Sequence, residues 1–219
     1  MAGGDIISSS LYFKTSSAGK VILIFYGDSW GLTPSKNIFL LMLKKGQPYL
    51  YVDERKFLTP MQNIWLNDNR WHHIIISMPR KNCLFSEITM YIDNRIMATR
   101  LRGKDDNVFY TLSGYLSLGG WGYSSEEYAN AEFQSMRNMK DFEGEMDDFQ
   151  LWFDKVLDPS YFLGSGPPEY NALRTSKEMS VTNKIIIISC LTAAGVVFGV
   201  ASVLQKFTRY RVSRLFSRK

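Results

Sequence analysis

Short apolar segments separated by turn residues run from residue 10 to residue 158 and limit the folds open to this chain. They are rich in β-branched and aromatic residues, and turn signals recur without a long helical stretch between them. In one segment Ile88, Met90 and Ile92 alternate with more polar residues, which is typical of a half-buried strand. Asp93-Asn94 then resembles a hairpin turn. The predicted strands cover 20–26, 38–43, 49–52, 72–78, 88–92, 115–118 and 149–153. The pattern predicts an all-β sandwich.

A second feature is a run of 20 uncharged residues from Ile185 to Leu204. At a helical rise of about 1.5 Å per residue it spans roughly 30 Å, the thickness of a bilayer core. We therefore expect a single transmembrane helix over 184–205; a buried core helix is the alternative. Gly195 and Gly199 form a GxxxG pair, which would allow the helix to pack against another helix.

The positive charge of the chain is concentrated near its end. The whole chain carries a net charge of +5, but residues 1–183 contain all 21 acidic residues and only 19 of the 26 Lys and Arg. That region is therefore slightly acidic, which argues against nucleic-acid binding. Residues 206–219 form a short basic tail suited to anionic lipid headgroups. Its basic residues are Lys206, Arg209, Arg211, Arg214, Arg218 and Lys219.

Two signals for membrane topology conflict. The basic tail favours a cytosolic C-terminus with the domain outside. The first ten residues contain no recognisable signal peptide, which favours a tail-anchored or organellar, for example mitochondrial, membrane protein. Cell-surface display would follow if a signal peptide had been removed. Cys83 has no partner outside the predicted helix, and no N-glycosylation sequon is present, which favours the organellar alternative.

The ordered set of strand motifs resembles the laminin G-like domains of the concanavalin A-like jelly-roll group, which also contains the pentraxins. The resemblance covers about residues 8–163. Its motifs, in chain order, are Leu11-Tyr-Phe-Lys-Thr15, Ile24-Phe-Tyr-Gly-Asp28, Phe39 to Gly46, Leu66-Asn-Asp-Asn-Arg-Trp-His-His73, Thr89-Met-Tyr-Ile-Asp93, Leu116-Ser-Leu-Gly-Gly120 and Phe142 to Trp152. It implies a two-sheet antiparallel jelly-roll sandwich.

The same resemblance implies a calcium site at the rim of the sandwich. The position of one family ligand corresponds to Asp68, which otherwise reads as a turn residue. A second ligand position falls near Thr111, a poor calcium ligand, whereas calcium usually takes six to eight oxygens. Calcium is therefore the one cofactor that we consider, and no other is expected.

Other candidate residues point to binding more than to catalysis. His72 and His73 are adjacent on a strand and should face opposite ways, so they cannot readily share a metal; we expect one to pack beside Trp71 and the other to be exposed. Asp147 and Asp148 also alternate faces, whereas a glycan hydrolase needs converging carboxylates. Most tryptophans should be core residues, but Trp30 and Trp121 lie beside turn glycines and could stack on a sugar or a protein.

These observations divide the chain into a sandwich at 1–163, a linker at 164–183, the helix at 184–205 and the tail at 206–219. We expect a membrane-anchored, non-catalytic binding or adhesion module for a glycan or protein partner. The alternative is a structural accessory subunit of an organellar membrane complex, and a jelly-roll glycan hydrolase is a third possibility.

Overall fold

The computed structural model describes residues 7–27, 38–53, 56–108, 115–120 and 137–171. Within these ranges the regular structure consists of strands joined by turns and short 3-10 helices, and residues 168–171 are α-helical. The strands are β1 (Ser8–Thr15), β2 (Lys20–Gly27), β3 (Ile38–Lys44), β4 (Gln47–Asp53), β5 (Lys56–Pro60), β6 (Trp71–Ser77), β7 (Thr89–Ile92), β8 (Arg95–Met97), β9 (Thr99–Arg102), β10 (Tyr115–Leu118), β11 (Met139–Lys140) and β12 (Gly144–Trp152). The 3-10 helices are Phe85–Glu87 and Pro159–Phe162.

The strands form two sheets. A five-stranded sheet has the order β12-β1-β6-β7-β8, and a seven-stranded sheet has the order β10-β2-β3-β4-β5-β9, with β11 pairing to β2. Every pairing is antiparallel except β11 with β2. The prediction of an all-β, two-sheet antiparallel sandwich is therefore confirmed.

The core lies between the sheets because alternate residues of their central strands are apolar. Leu11 and Phe13 on β1 and Ile74 on β6 face Leu41 on β3 and Leu50 on β4, and all are buried. Burial of such side chains contributes roughly 1.5–3 kcal/mol each. This inner layer is the main source of stability.

The outer face of the two central strands β1 and β6 of the five-stranded sheet is also largely buried. It carries Tyr12, Trp71 and His73, which would ordinarily be exposed. Residues 155–171 follow β12 and lie across this face; we call them the C-terminal strap. Phe162 and Tyr170 of the strap are buried against the sheet. A Cβ atom on Gly166, which has a φ of +86°, would collide with the Tyr12 ring, so glycine is required there.

The strap is also held by hydrogen bonds. The Leu157 backbone N–H donates to the hydroxyls of Ser8 (3.1 Å) and Ser77 (3.2 Å). Ser8 in turn donates to the carbonyl of Lys155 at 2.8 Å. These serines are buried, so the contacts satisfy polar groups that would otherwise be costly.

The outer face of the seven-stranded sheet changes character from strand to strand. Ile22 on β2 and Leu40 and Met42 on β3 are buried aliphatic side chains. Cross-strand pairing places Tyr49 opposite Met42, Tyr51 opposite Leu40 and Phe57 opposite Tyr51. Arg102 lies opposite Phe57 at the edge. From β3 to β9 the face therefore grades from aliphatic to aromatic to cationic.

Two predicted turns are confirmed. Asp93 and Asn94 have φ values of 48° and 64° and join β7 to β8, the left-handed pair that a tight hairpin requires. Gly119 and Gly120 have φ values of +73° and +122° directly after β10.

Contacts divide the chain into two units, Met1–Asn171 and Ala172–Lys219. All described residues belong to the first unit. It includes residues 164–171, the last part of the strap, where the sequence suggested a linker. The domain bounds otherwise stay a prediction. No helix in the described residues is long and apolar enough to cross a membrane. The transmembrane helix expected at 184–205 lies outside those residues.

Candidate functional site

The predicted rim residue Asp68 belongs to a cluster with His72 and Asp93. His72 is the second residue of β6, Asp68 lies in the turn before that strand, and Asp93 lies in the β7–β8 hairpin turn. The His72 Nε2 atom is 2.9 Å from Asp68 Oδ1, and its Nδ1 atom is 2.9 Å from Asp93 Oδ2. Because a carboxylate can only accept hydrogen bonds, both contacts are satisfied when His72 is protonated.

The charges of this rim cluster reinforce one another. Burial lowers the pKa of His72, but the hydrogen bonds and negative charges of Asp93 and Asp68 outweigh it and hold that pKa above its usual value. Burial alone would raise the pKa of Asp68. The interactions with His72 and the Arg70 N–H outweigh burial, and the pKa of Asp68 therefore lies below its usual value. The cluster is thus a charged bridge between two turns.

Calcium binding by Asp68 stays a prediction. The Asp68 Oδ1 atom accepts hydrogen bonds from His72 and, at 3.0 Å, from the Arg70 backbone N–H, which closes the turn. Asp68 and Asp93 contact opposite nitrogens of one imidazole, so they do not converge on a common point. Within the described ranges no group of three or more His, Cys, Asp or Glu residues could hold a metal ion.

His73 lies on the opposite side of β6, under the strap. Its ring stacks on Tyr12 with centroids 3.9 Å apart, and its Nε2 atom is 2.7 Å from Ser10 Oγ. Burial lowers its pKa to about 4. Between about pH 4 and pH 6.5 His73 is therefore neutral while His72 is charged.

One expectation about the histidines was wrong. They do face opposite sides of the strand, but neither is exposed: His72 is 8% and His73 is 1% exposed. The two-sided burial of β6 accounts for this, because the strap covers the side that an ordinary sandwich leaves open to water. Conversely, Trp65 is 61% exposed, although most tryptophans were expected in the core.

A second candidate site was missed at the sequence level. Tyr49, Tyr51 and Phe57 form what we call the aromatic surface, on the outer face of β4 and β5. Their ring centroids are 5.0–6.3 Å apart. Lys44 Nζ lies 6.0 Å from the Tyr49 ring and Arg102 Cζ lies 5.9 Å from the Phe57 ring, which is within cation–π range. The sequence signal for this surface was the pair Tyr49 and Tyr51, which are two residues apart and therefore face the same side of a strand.

Tyr49 and Phe57 are half-buried, so part of each ring is open to solvent. Lys44 and Arg102 are exposed, and neither makes an ion pair within the parts of the chain that the structure describes. The aromatic surface thus presents ring faces between two available cations.

Asp147 and Asp148 do not form a convergent pair. Asp147 is exposed and accepts the Asp148 N–H at 2.8 Å, while Asp148 accepts from Gln150 at 2.6 Å. A φ of 45° at Asp148 marks an irregularity in β12. Both carboxylates are engaged by groups adjacent to them on their own strand.

Several residues singled out from the sequence lie outside the described residues. These are the stacking candidates Trp30 and Trp121, the helix-packing pair Gly195 and Gly199, and the tail residues Lys206, Arg209, Arg211, Arg214, Arg218 and Lys219. Their roles stay predictions.

The fold is a two-layer antiparallel sandwich in which the strap covers part of one outer face. The sequence profile of the laminin G domain family matches residues 13–152, more than half of the chain. The chain therefore belongs to the laminin G domain family. No curated protein matches it.

Solved structures with a similar fold include the following three. Domains LG4-5 of the mouse laminin alpha1 chain are 16% identical, with a TM-score of 0.44, covering 71% of this chain and 39% of that one. The CBM40 of the Ruminococcus gnavus IT-sialidase, bound to alpha2,3 sialyllactose, is 13% identical, with a TM-score of 0.47 and coverages of 74% and 82%. A heptameric SAP-like pentraxin from Limulus polyphemus is 14% identical, with a TM-score of 0.47 and coverages of 74% and 71%.

Proposed function

We propose that this chain is a membrane-anchored, non-catalytic binding module that recognises a glycan through the aromatic surface. The single observation that carries this proposal is the set of partly open rings of Tyr49 and Phe57 between the cations of Lys44 and Arg102. Membership of the laminin G domain family supports a sandwich that serves as a scaffold for binding.

The chemistry of the surface favours a sugar with an acidic substituent. Rigid aromatic rings offer a large apolar contact area with little loss of conformational entropy, and they suit the flat apolar face of a sugar ring. Lys44 and Arg102 lie at two sides of the rings and would pair with a carboxylate or a sulfate. A negatively charged protein ligand is the other outcome that binding experiments can reveal.

The test is binding of the full chain, in detergent micelles, to an array of neutral and acidic glycans. We expect Tyr49→Ala and Lys44→Ala each to weaken binding about tenfold or more, in line with removal of a central contact. The matched control is Tyr161→Ala, because Tyr161 is an exposed aromatic residue with a lysine 4.8 Å from its ring centroid, and it lies in the strap on the other sheet. Equal loss in the control, or no binding of any glycan, would reject the proposal.

The same array tests the calcium prediction. Binding measured with calcium and with a chelator should differ if Asp68 helps to hold an ion at the rim. Asp68→Asn should then remove the calcium effect while leaving the Tyr49 contribution intact. Binding that is unaffected by a chelator would leave Asp68 with only its turn and ion-pair role.

We further propose that the helix expected at 184–205 anchors the domain, with the basic tail at the headgroups. The uncharged run and the six basic residues of the tail support this proposal. Alkaline carbonate extraction checks it: the full chain should remain with membranes, and truncation after residue 183 should release it. Release of the full chain would reject the anchor.

A structural accessory subunit of an organellar membrane complex is the second candidate. The observation that favours it is Cys83, a free, fully buried thiol whose pKa is raised by burial, since free thiols are common in reducing compartments. Protease protection separates the two settings. A domain digested on intact cells is displayed at the surface, whereas one protected inside sealed organelles favours the accessory role.

A further inference from the structure

The two sheets end in strands of opposite charge on opposite sides of the sandwich. Strand β9 ends the seven-stranded sheet, and β12 ends the five-stranded sheet. Because Ala98 alone separates β8 from β9, β9 lies on the side of β8, away from β12. Among the described residues each of the two strands pairs with one neighbour, β5 or β1 respectively. Unpaired strand edges are templates for pairing with another strand.

Strand β9 presents positive charge on its outer face. Arg100 and Arg102 are exposed, lie two residues apart and make no ion pair within the described ranges. Leu101 between them turns inward and packs against the core. The alternation is therefore basic, apolar, basic.

Strand β12 presents the complementary pattern. Glu145 and Asp147 are exposed, lie two residues apart and face outward, because they pair with the outward-facing Lys14 and Tyr12 of β1. Met146 between them turns inward to the core. Glu145 already pairs with Lys14 at 2.9 Å, yet its side chain remains 62% exposed and can accept a second cation.

These patterns oppose pairing of like edges and favour pairing of unlike edges. Two β9 strands would bring four arginines together, and two β12 strands would bring four carboxylates together. A β9–β12 pair instead matches both charges at once, because residues two apart on any strand are separated by about 7 Å. It also places Leu101 beside Met146 on the inner side.

We propose that copies of this chain associate head to tail, with β9 of one copy pairing edge to edge with β12 of the next copy. Arg100 and Arg102 of one copy then face Glu145 and Asp147 of the other. The contact is heterologous, since each copy uses a different edge on each side. This inference rests on different observations from the glycan-binding proposal, although the two share Arg102; the acidic residues of β12 and Arg100 play no part in the aromatic surface.

The experiment is sedimentation equilibrium of the full chain in detergent micelles over a range of concentrations. We expect concentration-dependent association that weakens about tenfold between 0.1 M and 1 M salt, as the screening length falls from about 10 Å to about 3 Å. Arg100→Glu/Arg102→Glu alone and Glu145→Lys/Asp147→Lys alone should each be monomeric. An equimolar mixture of the two variants should associate again, because the reversed β9 of one variant faces the reversed β12 of the other, and the unchanged edges likewise face each other, in both cases with opposite charge.

Two controls make the test specific. Lys45→Glu/Arg80→Glu changes the net charge as much as the arginine reversal does, but at turns outside β9 and β12, and should associate like the unaltered chain. Circular dichroism must show the same β-sheet content for all variants. Association that survives both reversals would assign it to another contact, such as Gly195 and Gly199, and overturn the proposal. A chain that is monomeric throughout, or reversals that the mixture does not rescue, would overturn it too.

Discussion

His72 and His73 are neighbours on one strand but occupy opposite electrostatic environments. His72 points inward at the rim, where two carboxylates hold its pKa above the usual value. His73 points outward beneath the strap, where burial lowers its pKa to about 4. The strand geometry separates them, since successive side chains face opposite ways. What surrounds each face, and not the residue type, decides the charge.

The comparison shows that the outer face of β1 and β6, beneath the strap, is a second interior. Its rings and serines are as buried as the inner core, but it is built from polar and aromatic groups and is closed by only one segment of chain. We therefore expect the two faces of this sheet to respond differently when a residue is removed from each.

The largest expected effect comes from Tyr12→Ala compared with Phe13→Ala. Both side chains are completely buried, so each truncation should lower the free energy of unfolding by about 3–5 kcal/mol. Only Tyr12 contacts the strap, through Tyr170 and Gly166. Urea unfolding measures the stability, and amide hydrogen exchange measures local opening.

The outcome that distinguishes the faces is exchange within the strap. Tyr12→Ala should expose the amides of Leu157 and Tyr170 under native conditions, whereas Phe13→Ala should leave them protected until the whole domain unfolds. Equal protection in the two variants would mean that the strap and the inner core form one cooperative unit.

The inner core and most strands could be predicted from the sequence, because apolar alternation there is strong. Strands β1, β5, β8, β9 and β11 were not among those predicted from the pattern, and only the motif resemblance pointed to β1. Lys56–Pro60 ends in proline, and Arg95–Met97 and Thr99–Arg102 are short and carry arginines, so none shows the apolar alternation of a buried strand. The motif resemblance located Asp68, but its partner Asp93 is 25 positions away in sequence, and only the pairing of β6 with β7 brings it close. Likewise, nothing in residues 155–171 indicated that they cover Tyr12 and His73.

The second prediction concerns the acid side of stability. Because the folded pKa of His73 lies near 4, the unfolded chain binds a proton more readily, so stability is lost as pH falls from about 6.5 to 4. The full loss amounts to about 3 kcal/mol. We call this decrease of stability with falling pH the acid limb. His73→Phe should make the acid limb shallower, even though Ser10 loses a partner and stability at pH 7 falls. Unfolding midpoints from pH 7 to pH 4 check it.

His72 supplies the matched control for that experiment. His72→Gln should keep the acid limb, because the stabilisation by protonated His72 is already complete below pH 6.5. If the acid limb persists in His73→Phe, or disappears in His72→Gln, the loss of stability at low pH comes from the rim cluster around His72 and not from His73.

The smallest expected effect is at the rim, where Asp93→Asn should cost about 1–3 kcal/mol below pH 6.5. Asp93 accepts from His72 and from the His73 backbone N–H, and only the first contact depends on charge. Since the pKa of His72 is raised, its stabilisation is lost as pH rises through that folded value, so the cost of Asp93→Asn should shrink at alkaline pH. Asp68→Asn should cost less than about 1 kcal/mol, because Asp68 is 41% exposed and solvent screens its charge. Urea unfolding of both variants at pH 6 and pH 9 measures these differences. A cost for Asp93→Asn that is equal at both pH values would show that the backbone contact, and not the charged bridge to His72, fixes the hairpin.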